Sequence, residues 1–312
     1  MRHAQEFSTR QPQTCRRFKM PIYQVDHETV YDYRLPVLYS NHLAHMLPRT
    51  VSRQNWISHS IEVDPNPTIQ QERLDIFGNK VLAFSIEQEH THFRFKTTGI
   101  VDVQEEEPPK QGETMKWEDV AKLLERPTSD ETLDAAMYAY ASPFAKFDES
   151  VRNYALESFE QGRPIFDAAY ELMTRIYTDC KYTPGATRIG AQPQEILRGR
   201  KGVCQDFAHL MIGCLRSLHL PCRYVSGYLR THPCEGQPKL VGADATHAWV
   251  STYIPGHGWV ELDPTNNVLG GNEHIILAWG RDFGDVSPLK GVITGGGEHT
   301  LKVSVNVDTK SY

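Results

Sequence analysis

Residues 199–218 read GRKGVCQDFAHLMIGCLRSL, and this stretch decides the fold. Val203, Phe207, Leu210, Met211, Cys214, Leu215 and Leu218 recur at helical spacing, which predicts an amphipathic helix with one buried face. Gly202 supplies a flexible turn before it, and His219 to Pro221 close it. Cys204 therefore falls in the first turn. Backbone N–H groups there lack helical partners and the helix dipole is positive, so a thiolate is favoured. A free cysteine titrates near ~8.5, and such a position lowers that value. The same N–H groups can stabilise an oxyanion on an attacked carbonyl. Taken alone, the spacing of Cys204 with Phe207 and Met211 also fits a packed core thiol, because cysteine is among the most buried residue types. Cys214, mid-helix, fits that core role better.

Two later stretches favour chemistry at Cys204. The run from His247 to Ile254 (HAWVSTYI) has strand composition, Pro255-Gly256-His257-Gly258 is a turn signal, and Trp259 to Asp263 (WVELD) is a second strand ended by Pro264. The pattern predicts a β-hairpin. Side chains alternate faces, so His247 and Asp263 share one only if the loop holds an odd number of residues. A three-residue loop sets Ile254 opposite Gly258 and Trp249 opposite Asp263, making His247 and Asp263 diagonal neighbours. An even loop would separate them. A thiol needs a base, and imidazole is the side chain that titrates near neutrality. The imidazole needs an acceptor to fix its tautomer, which Asp263 can supply. A lone histidine is usually structural, and this chain has 14. The three residues together, each in suitable local structure, are far harder to obtain by chance.

The blocks GVCQDFAHLMIGCLRSLHLPCRYVSGYL and DATHAWVSTYIPGHGWVELDPTNN resemble the transglutaminase-like superfamily, in particular bacterial members with a β-rich N-terminal domain. The resemblance extends to YTPGAT around Tyr182, to GRDFGDVSPLKGV from Arg281 onward, and to YQVDHETVYDY and DIFGN near the start. It implies a papain-like core with Cys204 as nucleophile, His247 as base and Asp263 as the orienting acid. Such enzymes add an upstream glutamine to the oxyanion hole. Gln192 and Gln194 are the nearest here, in a proline-containing loop, and neither fits well. Tyr182 is the alternative oxyanion donor, with packing beside a Pro-Gly turn as its other reading. Trp249, Arg281 and Asp282 are candidate cleft or substrate-binding residues. A solvated charged loop, which would include Asp285, is the competing reading for Arg281 and Asp282.

The rest of the chain sets bounds. At 312 residues it is long enough for two domains. Its net charge of −6, and the lack of any basic run with interleaved aromatics, argue against nucleic acid as a partner. No apolar run approaches the ~20 residues needed to span a bilayer. The first 19 residues are polar, have no apolar secretory core and are expected to be disordered, with Met20 a candidate start. Cytoplasmic placement follows as an expectation. The six cysteines (15, 180, 204, 214, 222 and 234) contain no C-x-x-C pair, so neither disulfides nor a zinc site is expected.

Residues 20–103 carry strand-like pieces divided by Asp64-Pro65-Asn66-Pro67 and Gly78-Asn79, which predicts an all-β module. Residues 104–112 (QEEEPPKQG) form a linker. Residues 113–312 are expected to be the catalytic domain. Helices are predicted at Trp117–Leu124, Leu133–Tyr140 and Pro164–Thr178, then the Cys204 helix, then antiparallel strands from Arg223. The expected fold class is thus α+β: a papain-like, transglutaminase-like core preceded by an all-β domain.

The expected function is cysteine-dependent acyl transfer through a thioester, acting on a peptide or protein substrate with no cofactor or metal. Water as acceptor gives a hydrolase and an amine gives a transglutaminase. The lack of an acidic calcium loop weighs against a calcium-activated cross-linker. A non-catalytic binding module with the same fold is the third alternative.

Overall fold

The structure is a computed structural model that describes residues 21–231 and 245–310. The expected extension over residues 1–19, with Cys15, and also Cys234 lie outside the described residues.

The first module is built on β1 (Ile22–Ala44), a long strand that serves as the spine of a seven-stranded sheet. β2 (Gln54–Asp64), β3 (Ile69–Leu74), β4 (Lys80–Ile86) and β5 (His90–Val103) complete the N-terminal part, in the order β2-β5-β1-β4-β3. Alternation explains the strand pairing. Over residues 22–29 of β1 and 93–103 of β5 every second residue is buried, and Val37, Phe84, Phe93 and Phe95 fill one core. β3 is exposed throughout and lies at the edge, which explains why its sequence carries no apolar alternation.

The second module begins with helices α1 (Trp117–Glu125), α2 (Asp130–Ala136), α3 (Glu149–Leu156) and α4 (Ile165–Asp179). Ser129 and Asp148 cap α2 and α3 through side-chain bonds to backbone N–H groups. Pro164 sits just outside α4 as its N-cap, not inside its first turn. Short parallel strands β6 (Lys181–Tyr182) and β7 (Lys201–Gly202) flank α5 (Pro193–Gly199) and lead into α6 (Cys204–Ser217). Then come β8 (Cys222–Leu229), β9 (Ala245–Ile254), β10 (Gly258–Asp263), β11 (Val268–Leu269) and β12 (His274–Gly280), ordered β11-β10-β9-β8-β12 and antiparallel. α6 is buried along nearly its whole length, and Phe207, Leu210 and Met211 share one core with Ala248, Val250 and Leu262 of the sheet. The α+β class and the Cys-bearing helix on an antiparallel sheet follow.

The domain boundary expected at the C-terminus needs correcting. After α7 (Phe283–Val286), strands β13 (Leu289–Gly295) and β14 (His299–Lys310) pair with β1. Residues 113–312 are therefore shared between two sheets, and the last two strands complete the first one. Val305 and Val307 pack with Tyr23, Val25, Val101 and Val103, and that cluster reaches Tyr228, Ile275 and Leu277 of the second sheet. The two modules thus share buried apolar surface. Among the described residues no helix is long and apolar enough to cross a membrane.

Candidate active site

The turn into α6 is held by Asp206. Its carboxylate accepts from the Val203 N–H at 2.8 Å and from Thr187 Oγ1 at 2.7 Å. Glycine is required at 202 because a Cβ there would lie 2.8 Å from both Asp206 Cβ and Asp206 Oδ2. Cys204 is consequently the first residue of α6 and is only half-buried. Burial pushes the thiols of Cys180, Cys214 and Cys222 up, that of Cys222 to about 12, which leaves them protonated and inert. All four described cysteines are unpaired.

The hairpin has a three-residue loop, Pro255 to His257. Gly258 pairs with Ile254 and Leu262 with Val250, the register in which the next pair is Asp263 with Trp249. His247 and Asp263 therefore share a face, with His247 Nε2 2.7 Å from Asp263 Oδ2. Asp263 is wholly buried and His247 nearly so. Burial pushes the imidazolium of His247 down, but hydrogen bonds to Asp263 and to the Cys204 thiol, with the charge of both, outweigh it and lift the pKa to about 10. With Nε2 engaged by Asp263, Nδ1 is the atom left for the thiol. Burial likewise opposes the charge of Asp263, yet donors from His247, His274 and Asn266 hold its carboxyl well below the usual carboxylate range.

The surroundings of Asp263 account for every lone-pair direction. Oδ1 accepts from the backbone N–H groups of Thr265 (2.9 Å) and Asn266 (3.3 Å), so the turn after Pro264 wraps the carboxylate. Oδ2 also accepts from Asn266 Nδ2 (2.7 Å) and His274 Nε2 (3.2 Å). His247, Asp263 and His274 are all of metal-ligating type, and their ligand atoms lie within 4.8 Å of one another. Their distances are those of donors on a carboxylate, and the cluster is complete as a hydrogen-bonded network.

The other sequence candidates fall in different places. Tyr182 is half-exposed and pairs with Gly202 across β6 and β7, two residues from Cys204; partial burial and then the nearby thiol push its phenol up. Trp249 is fully buried, stacks on His247 at 5.9 Å and donates Nε1–H to Glu261 Oε2 at 2.6 Å. It therefore backs the histidine and cannot line an open cleft. Arg281 and Asp282 both have partners within the protein. Arg281 is clamped on Asp285, while Asp282, 1% exposed, caps α7 at Gly284 and accepts from the Phe144 N–H. Their polar atoms brace the loop before β13. Gln192 donates to the Pro143 and Gly190 carbonyls, so its amide is occupied.

Asn266 and His274 did not emerge from the sequence. Asn266, three residues beyond Asp263, could have been found as a turn residue able to reach back to a carboxylate. His274 lies on a separate strand and gives no local signal.

Two family models match the chain: the Transglutaminase-like superfamily over residues 152–264 and the Bacterial transglutaminase-like N-terminal region over residues 23–102. An uncharacterized protein of Mycobacterium tuberculosis is 36% identical over 302 residues, covering 93% of each chain. A crystal structure reported as "a Putative Cysteine Protease from Cytophaga hutchinsonii" superposes with a TM-score of 0.74 at 19% identity, covering 94% of this chain and 92% of that one. A Protein-glutamine gamma-glutamyltransferase of Pseudomonas aeruginosa is 34% identical over 87 residues, which is 27% of this chain and 13% of that protein.

Proposed function

Since this chain belongs to the transglutaminase-like superfamily, we propose that it is a cysteine-dependent acyl-transfer enzyme acting as a hydrolase of peptide or amide bonds. The observation that carries the reading is the buried His247–Asp263 pair, with Nε2 2.7 Å from Oδ2, on the sheet whose core also packs α6 and its first residue, Cys204. Asp263 fixes the ring and supports its positive charge, which favours a thiolate–imidazolium pair.

In the first half-reaction Cys204 Sγ attacks the substrate carbonyl and an S–C bond forms. In this proposal the N–H groups in the first turn of α6, beside Cys204, take the negative charge that builds on oxygen. Tyr182, on the strand beside Gly202, is the second donor in this proposal. Collapse breaks the C–N bond, and His247 gives its proton to the departing amine. A thioester remains. In the second half-reaction His247 takes a proton from water as the water oxygen attacks, the S–C bond breaks, and the acid leaves with the thiol restored.

Transfer to an amine shares the first half-reaction, and the likeness to the Pseudomonas aeruginosa transferase favours it as the second reading. A fluorescent primary amine incorporated into a glutamine-bearing acceptor protein would select it over hydrolysis.

The test is the pH dependence of alkylation at each cysteine, read by peptide mass spectrometry in the wild type and His247→Ala. Selective reaction at Cys204 well below the pH at which free thiols react, lost in the variant, is the expected result. A Cys204 that reacts no faster than free glutathione would replace the catalytic reading with that of a binding module.

A further inference from the structure

We infer that His274 is a positioning residue for the Asp263–His247 pair, held in place by Arg53 of the first sheet module. This inference rests on the acyl-transfer reading above and extends it to residues outside the Cys–His–Asp group.

His274 opens β12, on the opposite edge of β8 from the hairpin, and is 4% exposed. The Gly271 N–H donates to its Nδ1 at 3.4 Å. A nitrogen that accepts has no proton, so in the neutral ring the proton is on Nε2, which faces Asp263 Oδ2 at 3.2 Å. The tautomer is thus set from behind, and a buried N–H points at the carboxylate that orients His247. The ring also meets Trp249 edge-on at 5.1 Å, while Trp249 stacks on His247. His274 therefore touches both supports of the base: the carboxylate at its Nε2 and the indole at its face.

The backbone of His274 is anchored from the other module. Arg53 Nη1 donates to the carbonyls of His274 (3.0 Å) and Gly271 (3.2 Å), and the His274 N–H returns to the Gly271 carbonyl (3.0 Å). The same guanidinium clamps Glu261, the acceptor for Trp249. One arginine from the first module thereby fixes the turn that carries His274 and the acid that holds the indole. Without the His274 donor, Asp263 Oδ2 keeps His247 and Asn266. Oδ1 stays held by the Thr265 and Asn266 N–H groups, and the Asn266 amide, 2.7 Å from Oδ2, then competes with His247 for that oxygen without a third donor to balance it. Among the described residues, the charged or titratable groups around Asp263 are then His247 on β9, Cys204 on α6 beyond it, and the Glu261–Arg53 pair behind Trp249.

The experiment compares His274→Phe and His274→Gln with the wild type by the rate and pH profile of iodoacetamide alkylation at Cys204, with melting temperature measured alongside. Phenylalanine keeps the ring against Trp249 and deletes the donor. Glutamine offers an N–H near the position of Nε2. The expected result is a loss of about tenfold in rate near neutrality for His274→Phe, the scale of a hydrogen bond to a charged group, with its acid limb displaced to higher pH. His274→Gln recovers most of the rate. A folded His274→Phe with wild-type rate and profile would overturn the inference alone, as would a folded His274→Gln as slow as His274→Phe. A wild-type Cys204 without enhanced reactivity would overturn the acyl-transfer reading and this inference with it.

Discussion

Arg53 and Glu261 meet through two parallel hydrogen bonds, Nε to Oε1 at 2.9 Å and Nη2 to Oε2 at 2.8 Å, across the seam between the two sheets. Their side chains are 4% and 12% exposed. A paired guanidinium and carboxylate in such a place add little over an apolar pair, but removing one partner strands the other charge in the interior. Arg53→Ala is therefore expected to cost about 3 kcal/mol or more, seen as a large fall in the urea midpoint. Replacing both groups, as Arg53→Met with Glu261→Gln, should recover much of that loss. A single variant as stable as the wild type would mean the seam is solvated and Glu261 is free to relax.

Cys204 and Leu210 lie on the same helix but should respond oppositely to truncation. Cys204 is half-buried at the first turn, whereas Leu210 is fully buried in the core shared with the sheet. Leu210→Ala should cost about 2–5 kcal/mol through lost burial and the cavity it leaves. Cys204→Ala should leave the unfolding midpoint close to wild type while abolishing hydrolysis and alkylation at that position. Comparable losses of stability in the two variants would return Cys204 to the role of a core thiol.

The pH dependence has a definite sign. The folded pKa of His247 is raised to about 10 from an unfolded value near ~6.5. Its stabilising contribution is therefore fully present below ~6.5 and is lost as pH rises toward 10. Asp263 is depressed, so its contribution is present above ~4 and is lost as pH falls through the folded value. Urea unfolding of wild type and His247→Gln at a series of pH values should show their difference shrinking between ~6.5 and 10. In Cys204→Ala the His247 ring loses one of the partners that raise it, so the decline should still begin near ~6.5 but end at lower pH.

The hairpin was legible in sequence because its constraints are local. Strand alternation and a Pro-Gly turn were enough to require an odd loop, and the register of Gly258 with Ile254 meets that requirement. The Cys204 helix was legible for the same reason, from apolar residues at helical spacing. The supports of the site were not. Arg53 lies 208 positions before Glu261, and Gln54 bonds both the N–H and the carbonyl of Ile276, 222 positions away. Nothing local marks such pairs, because their meaning depends on two sheets being brought together. Arg281 and Asp282 show the same limit. Charged residues in a loop suggest a cleft wall, yet here each spends its polar atoms within the loop and its neighbours. The pairing of β14 was not legible either, since its partner β1 starts 277 residues earlier (299 − 22).

Gly227 gives the sharpest test of how tightly the site is packed. It pairs with His247 across β8 and β9, and on its other side faces Ile276 of β12. A Cβ added there would lie 2.0 Å from the Ile275 carbonyl oxygen and 2.6 Å from the Trp249 ring. The first neighbour is backbone held in the sheet, and the second is fully buried and tied to Glu261, so neither can yield cheaply. Gly227→Ala should therefore destabilise the protein by about 1–3 kcal/mol or more through overpacking. It should also displace Trp249, which backs His247, and the strand that bears His274. The expected signature is a lowered melting temperature together with slower alkylation of Cys204 at temperatures where the variant is still folded. Slower alkylation without lost stability would place the effect in the stacking of Trp249 on His247. Lost stability with an unchanged rate would show that the base is held by Asp263 and its donors alone.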